Sequence, residues 1–176
     1  MNSPATSRPP LLLAHSYYLV YDEKQTRKMK PYAPLGTLLT AAFVRARGHE
    51  VALFDSMLVS GVEAFEQRLD EVGPCVVAIL EDNFNFLTKM CTLRMRRAAL
   101  GMIQMARSRG CLVIVNGSDA TDRPDLYLDA GALAVILGEV EQTFAEFADV
   151  LAAWPARADG TTSRAGRRNP VESRTT

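Results

Sequence analysis

No stretch of this chain is apolar for long enough to cross a bilayer, which takes about twenty residues. Residues 1–10 are polar and proline-rich, and Leu11-Leu-Leu-Ala14 is too short for the core of a secretory leader. These absences point to a cytoplasmic protein with no membrane partner. Charge of one sign is missing too, because 20 basic side chains are balanced by 20 acidic ones. A nucleic-acid surface needs a basic excess on one face, so nucleic acid is not an expected partner. Cysteine is scarce: Cys75, Cys91 and Cys111 each sit inside an apolar segment, at spacings that suit neither zinc nor an iron–sulfur cluster. Buried, reduced thiols are the expected state. Neither Gly-x-Gly-x-x-Gly nor Gly-x-x-x-x-Gly-Lys occurs, so the fingerprints for dinucleotides and nucleoside triphosphates are absent.

What remains is ordinary globular material. A chain of 176 residues, 48% of them apolar, builds one domain with a core that needs no disulfide staples. Apolar runs at 11–14, 50–54, 75–80, 111–115 and 132–137 read as five strands. The run Cys75-Val-Val-Ala-Ile-Leu80 is continuous, as in parallel strands covered on both faces. Helical spacing joins Leu35, Leu38, Leu39 and Ala42, then Val62, Phe65, Leu69 and Val72. It also joins Leu87, Cys91, Ala98, Met102, Met105 and Ala106, and finally Val140, Phe144, Phe147, Ala148 and Leu151. A short helix is expected over 122–130. The twenty residues from His15 to Pro34 form a long polar connection, and connections of that length tend to be functional or mobile. Strands alternating with helices in this way predict an α/β fold: a doubly wound five-stranded parallel sheet, flavodoxin-like (Rossmann-like), in the order 2-1-3-4-5. The domain is expected over 11–153. Residues 1–10 read as a disordered lead. In 154–176, five arginines stand among Gly, Ser, Thr and Pro with little to bury, which reads as a disordered tail.

In such a sheet ligands bind at the carboxyl ends of the strands. Two strand-to-helix junctions carry small, polar, turn-forming residues: Asn116-Gly-Ser-Asp-Ala-Thr121 and Leu137-Gly-Glu-Val-Glu-Gln-Thr143. Gly117 and Gly138 would let a backbone approach a ligand closely, and Ser118 and Thr121 can donate to it. A plainer reading has Asp119 or Thr121 capping a helix, and Glu139 and Glu141 favouring the positive end of the last one. The segment starting Glu81-Asp82 follows the third strand onto the same edge. A phosphoacceptor site would also need an acidic pair after the first strand and a lysine after the fifth, where Ala14-His15 and Leu137-Gly138 stand. His49, at the opposite edge, and Met90, Met95, Met102 and Met105 on the long helix read as structural.

The two junctions resemble the last two of the cobalamin-binding domain at the front of cobalamin-dependent radical S-adenosylmethionine enzymes. That family has Gly-Gly-x-x-x-Thr and Gly-Glu-x-Glu-x-Thr there; Asn116 stands for one Gly, and Val140 separates the two glutamates. His15-Ser-Tyr-Tyr18 followed by Lys30-Pro-Tyr-Ala-Pro-Leu-Gly36 is similar to its opening strand, loop and first helix start. Arg47-Gly-His-Glu-Val51 with Phe54-Asp55 is similar to its second strand. The resemblance spans 11–151. It implies bound cobalamin near His15, Leu35, Gly36, Asn116, Gly117, Ser118, Asp119, Thr121, Gly138, Glu139, Glu141 and Thr143. His15 lacks the Asp-x-His-x-x-Gly context of cobalt-ligating histidines: Leu13 precedes it by two residues and Tyr18 follows by three. As in much of the resembled family, the implied state is cobalt with no protein ligand below it, ligation by His15 being the less expected alternative, and no metal site is expected elsewhere in the chain.

The resembled enzymes continue into a barrel whose Cys-x-x-x-Cys-x-x-Cys holds an iron–sulfur cluster, and this chain has no such triplet. With no iron–sulfur cluster and no catalytic residue of its own, it is expected to be non-catalytic alone. It reads as a fragment, or a stand-alone partner of a separate radical S-adenosylmethionine catalytic domain or subunit. The alternative is a vestigial or protein-interaction α/β module that binds no cofactor.

Overall fold

Leu11-Leu-Leu-Ala14 and Val76-Val-Ala-Ile-Leu80 carry no polar residue on either face, so as strands they are stable only between two layers of helix. The computed structural model, which describes residues 10–28, 31–81 and 92–153, has that arrangement. Strands β1 (Leu11–Ala14), β2 (Val51–Phe54), β3 (Val76–Leu80), β4 (Leu112–Asn116) and β5 (Ala134–Ile136) form one sheet in the order β2-β1-β3-β4-β5. Every pairing is parallel. The fold is the flavodoxin-like, doubly wound α/β fold expected from the pattern of strands.

Alternation along each strand divides the core in two. Leu12, Ala14, Val77, Ile79, Val113 and Val115 pack under α3 (Glu63–Val72) and α4 (Thr92–Ser108), with Phe65, Leu69, Met95 and Met102. Leu11, Leu13, Val76, Ala78 and Ile114 pack on the other face, under α2 (Leu35–Ala46) and α7 (Glu141–Ala153). Each large apolar side chain fully buried in these layers contributes about 1.5–3 kcal/mol.

Three details differ from expectation. The leucine spacing that marks α2 faces outward: Leu35 is 62% exposed and Leu39 51%. The buried face is instead Thr37, Thr40, Ala41 and Val44. Ala41 shares its core with Ala145 and Ala148 of α7, and small residues of this kind let two helices share one sheet face at close range. Larger leucines in that seam would force the helices apart. The 15–34 connection is not a simple polar loop. Tyr17 and Tyr18 are fully buried, and a turn of 3-10 helix (Leu19–Tyr21) leads into α1 (Glu23–Lys28). Asp22, also buried, accepts hydrogen bonds from the Tyr17 hydroxyl (2.8 Å) and the Gln25 backbone N–H (3.0 Å), which fixes the start of α1. Cys75 is exposed, because it stands before the first residue of β3; only Cys111 of the described cysteines is buried. Its thiol donates to Pro74 O at 3.2 Å, and burial pushes it above the usual thiol range.

Between β4 and β5 the chain makes two short helices rather than one, α5 (Ser118–Asp122) and α6 (Pro124–Asp129), because Pro124 can begin a helix but not continue one. The expected disordered lead and tail, and the Leu87, Met90 and Cys91 part of the long helix, lie outside the described residues. No described helix is long and apolar enough to cross a membrane.

Candidate functional site

The register aligns the strand ends. Ala14 pairs with Phe54 and Ile79, Leu80 with Asn116, and Asn116 with Ile136. The residues that follow, among them His15, Asp55, Glu81, Gly117 and Leu137, therefore lie along one edge of the sheet. A crevice of about 410 Å³ opens there. Gly36 and Thr37 of the first turn of α2 form one side, Leu80 and Glu81 the floor, and Asn116, Gly117, Ser118, Thr121 and Asp122 another side. Gly138, Glu139, Val140 and Glu141 complete it.

Of the residues singled out in the sequence, Gly36, Asn116, Gly117, Ser118, Thr121, Gly138, Glu139 and Glu141 are thus brought together. Leu35 and Thr143 are exposed and lie off the crevice. Asp119 is turned away, into an ion pair with Arg96 of α4. His15 is fully buried, with Nε2 at 2.7 Å from Asp55 Oδ1 and Nδ1 at 3.2 Å from Ser56 Oγ. Both ring nitrogens are engaged by protein. Burial alone would raise the Asp55 carboxyl, but His15 and the Met57 N–H outweigh it and hold it below the usual range. His49 and Arg47 both bond Asp149 of α7, at 2.7 Å each, which is a structural role at the other edge.

Asn116 is structural glue between the two junctions. Its amide donates to Ile136 O (2.9 Å) and Gly138 O (3.0 Å), which ties the end of β4 to the 137–140 turn. Gly138 has φ +75°, and a Cβ there would meet nothing within 4 Å. Gly117 is different. With φ +154°, its Cβ would stand 2.3 Å from Glu81 Cβ and 2.7 Å from Glu81 Oε2. A close approach to a protein side chain is thus by itself enough to require glycine at 117. Thr121 likewise spends its hydroxyl proton inside the turn, on Gly117 O at 2.8 Å, and keeps only acceptor capacity for a ligand.

Neither Asp119 nor Thr121 caps α5. That task falls to Glu81, from the neighbouring strand: its Oε2 accepts from the Ala120 backbone N–H at 3.2 Å. Glu81 Oε1 lies 2.7 Å from the Tyr127 hydroxyl of α6, and that hydroxyl is also 2.7 Å from Asp119 Oδ2. Arg96 donates to Asp119 from Nε (to Oδ2, 2.6 Å) and Nη2 (to Oδ1, 2.5 Å). The result is a chain, Glu81–Tyr127–Asp119–Arg96, under one wall of the crevice. Burial pushes the Glu81 carboxyl up to about 7, with the nearby Asp119 carboxylate adding to the rise. Arg96 holds Asp119 below the usual carboxylate range. Burial and both carboxylates push Tyr127 far above the usual phenol range.

The sequence marks Glu81 only as a neighbour of Asp82 and carries no signal at Thr37. The Thr37 hydroxyl is buried without a hydrogen-bond partner. It also lines a second, mostly apolar hollow of about 210 Å³ with Ala33, Pro34, Leu38, Leu53, Phe54 and the carboxylate-bearing Asp55. The crevice lining itself includes four carboxylates (Glu81, Asp122, Glu139, Glu141) and no Lys, Arg or His among the described residues. Among those residues no group of three or more His, Cys, Asp or Glu side chains could hold a metal ion. No protein-family model and no curated protein matches this chain.

Proposed function

We propose that this chain is a cobalamin-binding domain that serves a radical S-adenosylmethionine catalytic domain or subunit and is non-catalytic alone. One observation carries the reading. The two junctions whose sequences resemble the family's, and the Leu35-Gly36 helix start, line or adjoin a single crevice at the carboxyl edge of the sheet. The polar groups suit an amide-rimmed ligand. The carboxylates of Glu139 and Glu141 and the Thr121 oxygen accept from amide N–H groups. Ser118 and the orphaned Thr37 hydroxyl can donate to amide or phosphate oxygens, and the first turn of α2 adds backbone N–H groups. The hollow beside Thr37 offers apolar walls to an aromatic base. At about 410 Å³ the crevice is in the range of small-ligand pockets.

When bound, cobalamin supplies cobalt chemistry; the chain binds and orients it. His15 is committed to Asp55 and Ser56, so no protein ligand to cobalt comes from it. A second reading, a protein-interaction module, is favoured by the outward stripe of Leu35, Leu38, Leu39 and Phe43 on α2. The test is retention of the cofactor. Purified protein is mixed with hydroxocobalamin, desalted, and read by corrin absorbance. Near-equimolar retained corrin is expected. No retained corrin would leave the interaction module as the better account.

A further inference from the structure

The Tyr127 hydroxyl has one proton, yet its oxygen lies 2.7 Å from a carboxylate oxygen on each side, Glu81 Oε1 and Asp119 Oδ2. A phenol can donate to only one of them. The other contact would set lone pair against lone pair in a buried place unless a second proton is present. Asp119 is not its carrier, because both of its oxygens already accept from the Arg96 guanidinium. Tyr127 therefore donates to Asp119, and Glu81 donates to Tyr127. We infer that Glu81 is held as a neutral carboxylic acid, and that in this form it is the positioning residue for the 117–121 wall of the crevice.

The wall rests on Glu81 in two ways. Ala120 N–H donates to Oε2, and Gly117 lies against the side chain so closely that no Cβ fits between them. Ionisation would release the Oε1 proton to water through the crevice. The Tyr127 hydroxyl would then face two carboxylates with one proton, and the wall would have to shift. Among the described residues, the groups facing Glu81 are Tyr127 from α6, Asp119 from α5 and Arg96 from α4. Asp122, Glu139 and Glu141 share the crevice but are more exposed. The elevated carboxyl, near 7 rather than 4.5, agrees with the proton count. The inference deepens the ligand-site reading by giving that site a pH dependence, and only its binding arm rests on that reading.

The ligand-free arm uses the full chain with 13C-labelled glutamate carboxyls. One resonance should titrate with a midpoint near 7, and Glu81→Gln should delete it. If every glutamate titrates near the ordinary 4.5, the inference is overturned. Should Glu81→Gln not fold, Tyr127→Phe serves instead: loss of the phenol oxygen that bridges the two carboxyl groups should shift the same midpoint, and an unmoved midpoint overturns the bridge. The binding arm measures hydroxocobalamin affinity from about pH 5.5 to about pH 8.5. Affinity of the parent should fall at least about threefold across this range, while Glu81→Gln stays flat. A flat parent whose Glu81 still titrates overturns the positioning role. No binding at any pH in either protein sinks the cobalamin reading and leaves the ligand-free arm to decide on the proton.

Discussion

The buried proton on Glu81 has a thermodynamic signature that needs no ligand. In the unfolded chain this carboxyl ionises around 4.5; in the fold it keeps its proton up to about 7. Between those values the folded state binds more protons than the unfolded one, so stability falls as pH rises through the window and is level, for this group, on either side. The full displacement corresponds to roughly 3 kcal/mol, and at 5% exposure there is little water to screen it. Glu81→Gln removes the ionisation but keeps the geometry: its amide oxygen accepts from Ala120 N–H and its NH2 donates to Tyr127. The variant should therefore lose little at low pH and overtake the parent by about 1–3 kcal/mol above neutrality. Asp55 and Asp119 do not blur the comparison. Both are lowered from an ordinary 3.8, so their contributions are lost only as pH falls, below the Glu81 window. Urea unfolding followed by circular dichroism, from about pH 4 to about pH 8.5, gives both curves with one probe. Parallel curves across the window would refute the reasoning, for they would mean that Glu81 ionises as easily in the fold as outside it.

The two strand-end glycines should part company. Gly117→Ala drives a Cβ to 2.3 Å from Glu81 Cβ, an overpacking worth about 1–3 kcal/mol or more, whereas Gly138→Ala meets nothing and costs only the left-handed backbone, about 1 kcal/mol. Equal losses in urea would count against the close contact at 117. On α2, Leu39→Ser should change stability by less than about 0.5 kcal/mol because the side chain is half exposed, while Ala41→Leu, in the seam with α7, should cost about 1–3 kcal/mol; the reverse order would mean that the helix is turned the other way.

The sheet was legible because its evidence is local. An apolar run such as Val76-Val-Ala-Ile-Leu80 has only one comfortable place, the middle of a covered sheet, and turn residues mark where each run stops. The face of α2 was not legible, since Leu35, Leu38 and Leu39 establish a helical period without saying which side is buried. That choice is made by Ala145 and Ala148, about a hundred residues downstream, which leave room for Ala41 and Thr37 but not for leucine. The 15–34 segment misled for a related reason. A tyrosine counts as polar by its hydroxyl and as core by its ring, and Tyr17 is buried with Asp22 turned back to accept its proton.

The site divides along the same line. Its loops were visible, because strand ends that carry Gly, Ser and Asn announce tight turns. Its polar machinery was not, because each side chain there is defined by a partner distant in sequence. A glutamate followed by an aspartate reads as solvated, and nothing near Glu81 in the chain says otherwise. Tyr127, 46 residues on, and Asp119 and Arg96, joined across α5 and α4, make its burial tolerable. Gly117 shows the same effect: the sequence does not say that this glycine lies against that glutamate.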